Sequence, residues 1–362
     1  MSQSENNLWL HRFAVITAAA TVALLGIGGL VTSHEAGMSV PDWPTSYGYN
    51  MFLFPLSKWW HAGNIFYEHS HRLLASGVGL LTTILAVWLW LKDSRAWLRW
   101  LGFLAFAAIV LQGVLGGLRV TEHKDALGIF HGTLAQLFFV LVCALALFTS
   151  RWWQGWRDAA PMPGISRGLG WLLVGTTTLI VSQLVLGATM RHQHAGLAIP
   201  DFPLAYGKLW PAMDADSVAR YNQQRVEVMV VNPITAAQIA LQMAHRIVAV
   251  LILSAVISCV WLTLRRFGWR SPLSTLACVW LGLILAQVTF GVATVVSDKA
   301  ADIATAHVLL GALSLATGAL LSTMYLRNLN SPHGRSVLSA ARRENNPGGS
   351  FGVEPGTAAM RS

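Results

Sequence analysis

The sequence predicts an all-α integral membrane protein whose eight transmembrane helices form two pseudo-symmetric four-helix bundles. Three observations carry that reading. The 362 residues are 54% hydrophobic and only 11% charged, with a mean hydropathy of +0.52, whereas a soluble domain carries about 25% charged residues. Eight apolar runs are long enough to cross a bilayer, which takes about 20 helical residues. Landmarks in the first half of the chain also return in the second at nearly constant spacing, the mark of a duplicated unit.

The runs lie at residues 13–33, 69–91, 97–118, 128–149, 168–190, 238–263, 273–296 and 304–326. The connections after the second, fourth and sixth, together with both ends of the chain, carry 15 basic residues against 5 acidic ones. The opposite loops carry 8 basic and 11 acidic residues. The excess of arginine and lysine marks the inner side, so both termini are expected in the cytoplasm. The formal net charge of +9 is spread along short loops and forms no patch, which argues against a nucleic-acid partner and for the lipid bilayer. No cleavable signal or transit peptide is legible, so a multi-pass protein of a bacterial inner (cell) membrane is expected. Residues 331–362 are polar and rich in Gly and Pro, and read as a disordered cytoplasmic tail. Cys143, Cys259 and Cys278 all fall inside apolar runs and read as small core residues.

Two long loops, 34–67 and 191–237, face outward and hold the clearest repeat. Ala36-Gly-Met-Ser-Val-Pro-Asp-Trp-Pro-Thr-Ser-Tyr-Gly48 matches Ala195-Gly-Leu-Ala-Ile-Pro-Asp-Phe-Pro-Leu-Ala-Tyr-Gly207. His71-Arg72 returns as His245-Arg246, Gln112 as Gln287, Gly116 as Gly291 and His131 as His307, at offsets of 174, 175, 175 and 176. The halves are therefore drawn as 1–150 and 165–327.

Histidine inside a membrane span is costly and marks a functional site. His71, His131, His245 and His307 each stand near the outer end of a run, about 30 Å above the inner cationic belt at 1.5 Å per residue. A single such histidine reads more readily as an interfacial residue bonded to a neighbouring helix. Four at matched depth, two per half, read as two bis-histidine haem sites; a zinc site would gather three or four ligands. His34, His61, His123, His192 and His194 fall in outer loops, and His11 and His333 on the inner side, all with solvated or interfacial roles. His69 is read as structural. Arg72 and Arg246 admit two readings, snorkelling to headgroups and pairing with haem propionates.

The halves differ at one titratable position. Glu68 stands three residues before His71, whereas Gln242 stands three before His245. A carboxylate beside a porphyrin edge acts as a base or stabilises a developing cation, and an amide does neither. The alternative is a solvated carboxylate at a helix start. The asymmetry favours chemistry in the first half and electron transfer in the second.

With these motifs in place the chain resembles the haem A synthase family over about residues 12–327. The resemblance rests on Glu68-His-Ser-His71-Arg72, His131, His245-Arg246, His307 and the Gly-Met/Leu-x-x-Pro-Asp-Trp/Phe-Pro loop segments. It implies oxidation of a ring methyl of haem O to a formyl group by successive hydroxylations, giving haem A for terminal oxidases. It further implies that His71 and His131 hold the substrate haem iron, that Glu68 is catalytic, and that His245 and His307 ligate a prosthetic haem b. The implied partners are a haem O synthase (a membrane prenyltransferase) and an electron acceptor, of which a quinone is one candidate. Many relatives carry cysteine pairs in the outer loops, where this chain has Val40 and Ser46, or Ile199 and Ala205, so no thiol relay operates here. The rival readings are a dihaem b-type cytochrome, which would place its ligands at two depths, and a transporter, which would show mid-membrane Gly/Pro breaks.

Overall fold

The computed structural model describes residues 7–160, 162–224 and 233–329. The tail expected to be disordered, 331–362, lies outside the described residues. Eight helices are long and apolar enough to cross a membrane: α1 (Leu8–Ser33), α2 (Asn64–Lys92), α3 (Ala96–Glu122), α4 (Asp125–Thr149), α5 (Arg167–His192), α6 (Ala236–Phe267), α7 (Pro272–Val296) and α8 (Ala301–Leu329). Each contains one of the apolar runs read from the sequence and continues past it by up to a turn or so at one end or both. Hydropathy stops at the first cluster of polar side chains, whereas the hydrogen-bond ladder runs on until a cap or turn closes it.

The helix starts are capped as their sequences dictate. The Asn7 side chain accepts from the N–H groups of Trp9 and Leu10 at the head of α1. Ser166 does so for Leu169 at the head of α5. Thr235 and Gln238 form a reciprocal capping box on α6, and Ser271 precedes Pro272 on α7. Within the spans, hydroxyls of Thr17, Thr21, Thr82, Thr149 and Thr263 donate to the carbonyl four residues back. Those bonds satisfy polar groups that lipid cannot. Leu80, Ile84, Val87 and Leu91 form an exposed row on α2, since here the solvent for the outer face is hydrocarbon.

In the first half α1 packs on α2 and α4, and α3 packs on both α2 and α4. The second half repeats that cycle, with α5 on α6 and α8, and α7 on both α6 and α8. This order is compatible with a duplicated four-helix unit. The halves meet through α1, α4, α5 and α8. Phe139, Ala312 and Ala316 are buried there, and Gly29 lets α1 approach so closely that a Cβ would stand 2.7 Å from Thr305 Cγ2.

Each half keeps its apolar core toward the end opposite the two long loops. Leu10, Ala14, Leu85, Leu89, Leu98 and Leu145 are buried in the first. Leu169, Leu173, Val256, Trp280, Leu321 and Tyr325 are buried in the second. Arg95, read from the sequence as a topology signal, is more than that. It forms a buried fork with Asp93 at 2.7–2.9 Å and donates to the Phe148 carbonyl, tying the α2–α3 turn to the end of α4. Removing one member leaves the other charge buried, which costs about 3–5 kcal/mol. Asp93→Ala should therefore lower the thermal midpoint in detergent sharply. Lys124→Gln, in a pair exposed by 67% and 49%, should change stability by no more than about 0.5 kcal/mol. Equal melting of the two variants would remove the Asp93–Arg95 fork as a structural tie.

Candidate functional site

Above the two apolar cores the helices enclose one continuous cavity of about 1320 Å³. It exceeds the roughly 300–1,000 Å³ of a typical single-ligand pocket. All eight helices line it, and His71, His131, His245 and His307 all face it. His71 and His131 lie within electrostatic reach of one another, as do His245 and His307. Among the described residues no group of three His, Cys, Asp or Glu side chains could hold a metal ion. Two imidazoles per half are a donor set that would fit the iron of a porphyrin, whose ring supplies the remaining ligands.

Every one of the four rings is backed by a glycine on a neighbouring helix. A Cβ at Gly28 would stand 3.0 Å from His71 Cε1, at Gly116 3.2 Å from His131 Cε1, at Gly187 3.4 Å from His245 Cε1, and at Gly291 3.0 Å from His307 Cε1. The absent side chain is what lets each imidazole lie against the facing backbone. His307 Nδ1 donates to the Gln287 carbonyl at 3.0 Å. A carbonyl only accepts, so Nδ1 carries the proton and Nε2 is the acceptor nitrogen, 3.5 Å from the Gln287 side-chain amide nitrogen. Gln112 and Gln183 donate to the His131 and His245 carbonyls and brace the helices that carry those rings. The residues present fit two six-coordinate haems, one per half.

The repeated loop segments fold alike over the outer end of the cavity. Asp42 accepts from the N–H groups of Tyr47 and Gly48, and Asp201 from those of Tyr206 and Gly207. Tyr47 donates to the Ser39 carbonyl, and Tyr206 to that of Ala198. Partial burial pushes the Asp42 carboxyl up, but bonds from Gly48, Thr45 and Tyr47 outweigh it and hold the group below its ordinary value. Trp43 lies so close on Gly117 of α3 that a Cβ there would stand 2.4 Å from its indole.

Glu68 and Gln242 fasten these loops. Glu68 Oε2 accepts from the Val40 N–H at 2.8 Å, and Gln242 Oε1 from the Ile199 N–H at 2.6 Å. Their surroundings then diverge. The Gln242 amide donates to the carbonyls of Gly196 and Ile199. Glu68 has nothing to donate, so Arg72 Nη2 supplies the Val40 carbonyl and also pairs with Glu68 Oε1 at 2.6 Å. Glu68 is only 3% exposed, which overturns the alternative of a solvated helix-start carboxylate. It sits in the second turn of α2, beneath the loop.

Arg72 and Arg246 do not snorkel. Arg72 also donates to the Asp42 and Thr45 carbonyls. Arg246 donates to those of Asp201 and Leu204 and lies over the Phe202 ring at 5.7 Å. Four bonds leave the Arg72 guanidinium with one of its five N–H groups, so little of it remains for a propionate. His69 is buried against Phe54 and Trp59, beside the Ser46 hydroxyl, a packing role.

His192, assigned to an outer loop by sequence, is the last residue of α5 and lines the cavity. Its ring occupies the space of a side chain at Gly128, whose Cβ would stand 2.3 Å away. Arg191 beside it reaches across to α1, donating to the Gly29 carbonyl and the Ser33 hydroxyl. Arg119, also lining the cavity, was read as one more outer-side charge. Hydropathy ended their helices before these residues, and no period could show that they turn inward.

The fold and site define a class: eight-helix membrane proteins with two half-buried histidine pairs lining one cavity beneath a pair of repeated loops. The chain belongs to the COX15-CtaA family of cytochrome oxidase assembly proteins, whose pattern it matches over residues 11–319. It is similar to the heme A synthase of Alkalihalophilus pseudofirmus, at 27% identity over 83% of this chain and 92% of the relative. That of Halalkalibacterium halodurans is 25% identical over 88% and 99%, and that of Shewanella oneidensis 26% over 83% and 90%.

The glycine backing gives a direct test. Gly291→Val should push His307 off its position and strip haem from the purified protein, as His307→Ala should. Gly282→Val lies on the same helix with nothing within 4 Å and should leave the absorption spectrum unchanged. Full haem content in the Gly291 and His307 variants would remove His307 as a ligand.

Proposed function

We propose that this chain is a haem A synthase of the cell membrane, with both termini in the cytoplasm, oxidising the ring methyl of haem O to the formyl group of haem A. The observation that carries the reading is the divergence at Glu68 and Gln242 within otherwise matching sites. Both side chains hold the same loop N–H, yet only the first brings a negative charge to the cavity. His71 and His131 hold the substrate's iron, and His245 and His307 hold a prosthetic haem b. The bound haem supplies the redox chemistry.

The chain's own residues do the rest. The loop carrying Val40 and Trp43 covers the outer end of the cavity and limits water. Glu68 is held in place by Arg72 and the Val40 N–H, which suits a fixed anion that stabilises positive charge developing near the methyl. The two oxygens it presents already have donors, so electrostatic stabilisation is the main role and proton transfer is secondary. Successive hydroxylations and loss of water would complete the conversion, a four-electron oxidation in which water supplies the formyl oxygen, four protons are released and the electrons pass to an acceptor such as a quinone. A membrane prenyltransferase delivers haem O.

Glu68→Gln tests the assignment, because Gln242 demonstrates that an amide can fasten this loop. The variant should fold, keep haem in both halves, and lose turnover by at least about 100-fold. Haem O or a partly oxidised product should accumulate. The measurement is the haem A to haem O ratio extracted from membranes in which the variant is the sole copy. Normal haem A would end the catalytic role of Glu68, and haem b alone in the wild-type extract would favour an electron-transfer cytochrome.

A further inference from the structure

We infer that Arg119 is the anchor for a carboxylate of the substrate porphyrin and sets which edge of it faces outward. This inference rests on the first-half haem site proposed above. Arg119 lies on α3, three residues after the glycine that backs His131. Its guanidinium is laid against Gly37 of the outer loop, where a Cβ would stand 3.1 Å from both Nη atoms. It lines the cavity within electrostatic reach of both His71 and His131.

The other arginines lining the cavity are committed. Arg72 holds Glu68 and three carbonyls, Arg191 holds Gly29 and Ser33, and Arg246 holds Asp201 and Leu204. Among the described residues Arg119 has no hydrogen-bond or ion-pair partner. Glu68 and Asp125 are near enough to act on it through space, but the Glu68 oxygens already accept from Arg72 and Val40. Arg191 adds a second positive charge nearby. A half-buried guanidinium with all five donors free, with Arg191 as well as Asp125 near it, has room and donors for an anion. Its planar fork matches a carboxylate in two parallel bonds.

The anchor belongs to one half. At the repeat offset of 175, Arg119 corresponds to Thr294, whose hydroxyl is spent on the Phe290 carbonyl of its own helix. Glu68 and Arg119, both on the first-half wall of the cavity, therefore have uncharged counterparts in the second half, Gln242 and Thr294. A resident group needs tight retention, whereas a substrate needs a defined orientation so that one methyl meets Glu68.

The test is binding, read by Soret titration of the full-length protein with its second-half haem in place. Haem O is compared with haem O dimethyl ester, which lacks both carboxylate charges. Wild type should bind the ester about 10–100-fold more weakly than haem O, the span expected when a charged hydrogen-bonding partner is removed. Arg119→Gln should weaken haem O by a similar factor and the ester hardly at all, while Arg119→Lys should recover part of the loss. The second-half haem spectrum should be the same in every case. Equal affinity of wild type for haem O and ester would overturn the inference without any substitution. So would an Arg119→Gln protein that still discriminates against the ester. Loss of all haem O binding in wild type would instead defeat the first-half site itself, and the anchor with it.

Discussion

The loop-covered end of this protein depends on a hydrogen bond made once in each half, from a loop N–H to the side chain three residues before a cavity-lining histidine. Val40 gives it to Glu68 and Ile199 to Gln242. Because the acceptor and the histidine share a helix, whatever holds the loop also sets the roof over the imidazole. Arginine one residue beyond the histidine completes the fastening by collecting loop carbonyls. The backbone of an irregular loop near the membrane needs such partners, since its N–H and C=O groups find neither a ladder nor hydrocarbon they can bond. The cavity exists because this roof is supported from below at a distance from the inner apolar cores.

Duplication explains how the two halves could diverge without either unfolding. A glutamine satisfies the loop alone, accepting one N–H and donating to two carbonyls. A glutamate accepts but cannot donate, and Arg72 takes over the missing donation while holding the carboxylate in an ion pair. The negative charge is therefore accommodated by rearranging existing bonds. The same logic separates Arg119 from Thr294. Packing, glycine backing and loop geometry are shared between the halves, whereas the charges of Glu68 and Arg119 have no counterpart at Gln242 and Thr294.

Much of this was legible in the chain. Eight spans, the two-fold repeat and the four histidines follow from hydropathy and spacing, because lipid imposes a minimum length on each helix and penalises every buried polar side chain. The contrast between Glu68 and Gln242 was also visible, as two residues in one register. The single-ended boundaries were not. Arg191 and His192 look like loop residues because hydropathy falls there, yet the helix continues through both of them at the cavity wall. Arg95 shows the same effect on the inner side, where a residue counted as a surface charge is a buried fork.

What the sequence determined by itself is what local chemistry and periodicity can dictate: span number, duplication, and the residue types able to ligate iron. What only the tertiary structure decided is which polar groups are already occupied. Glu68 admits a catalytic and a solvated reading until Val40 and Arg72 are seen upon it, Arg72 admits snorkelling and propionate pairing until its carbonyls are counted, and Arg119 reads as an outer-side charge until, among the described residues, no partner is found. Satisfaction of donors and acceptors is a property of contacts between segments far apart in the chain, such as 40 with 68 or 37 with 119, and no spacing along one helix encodes it.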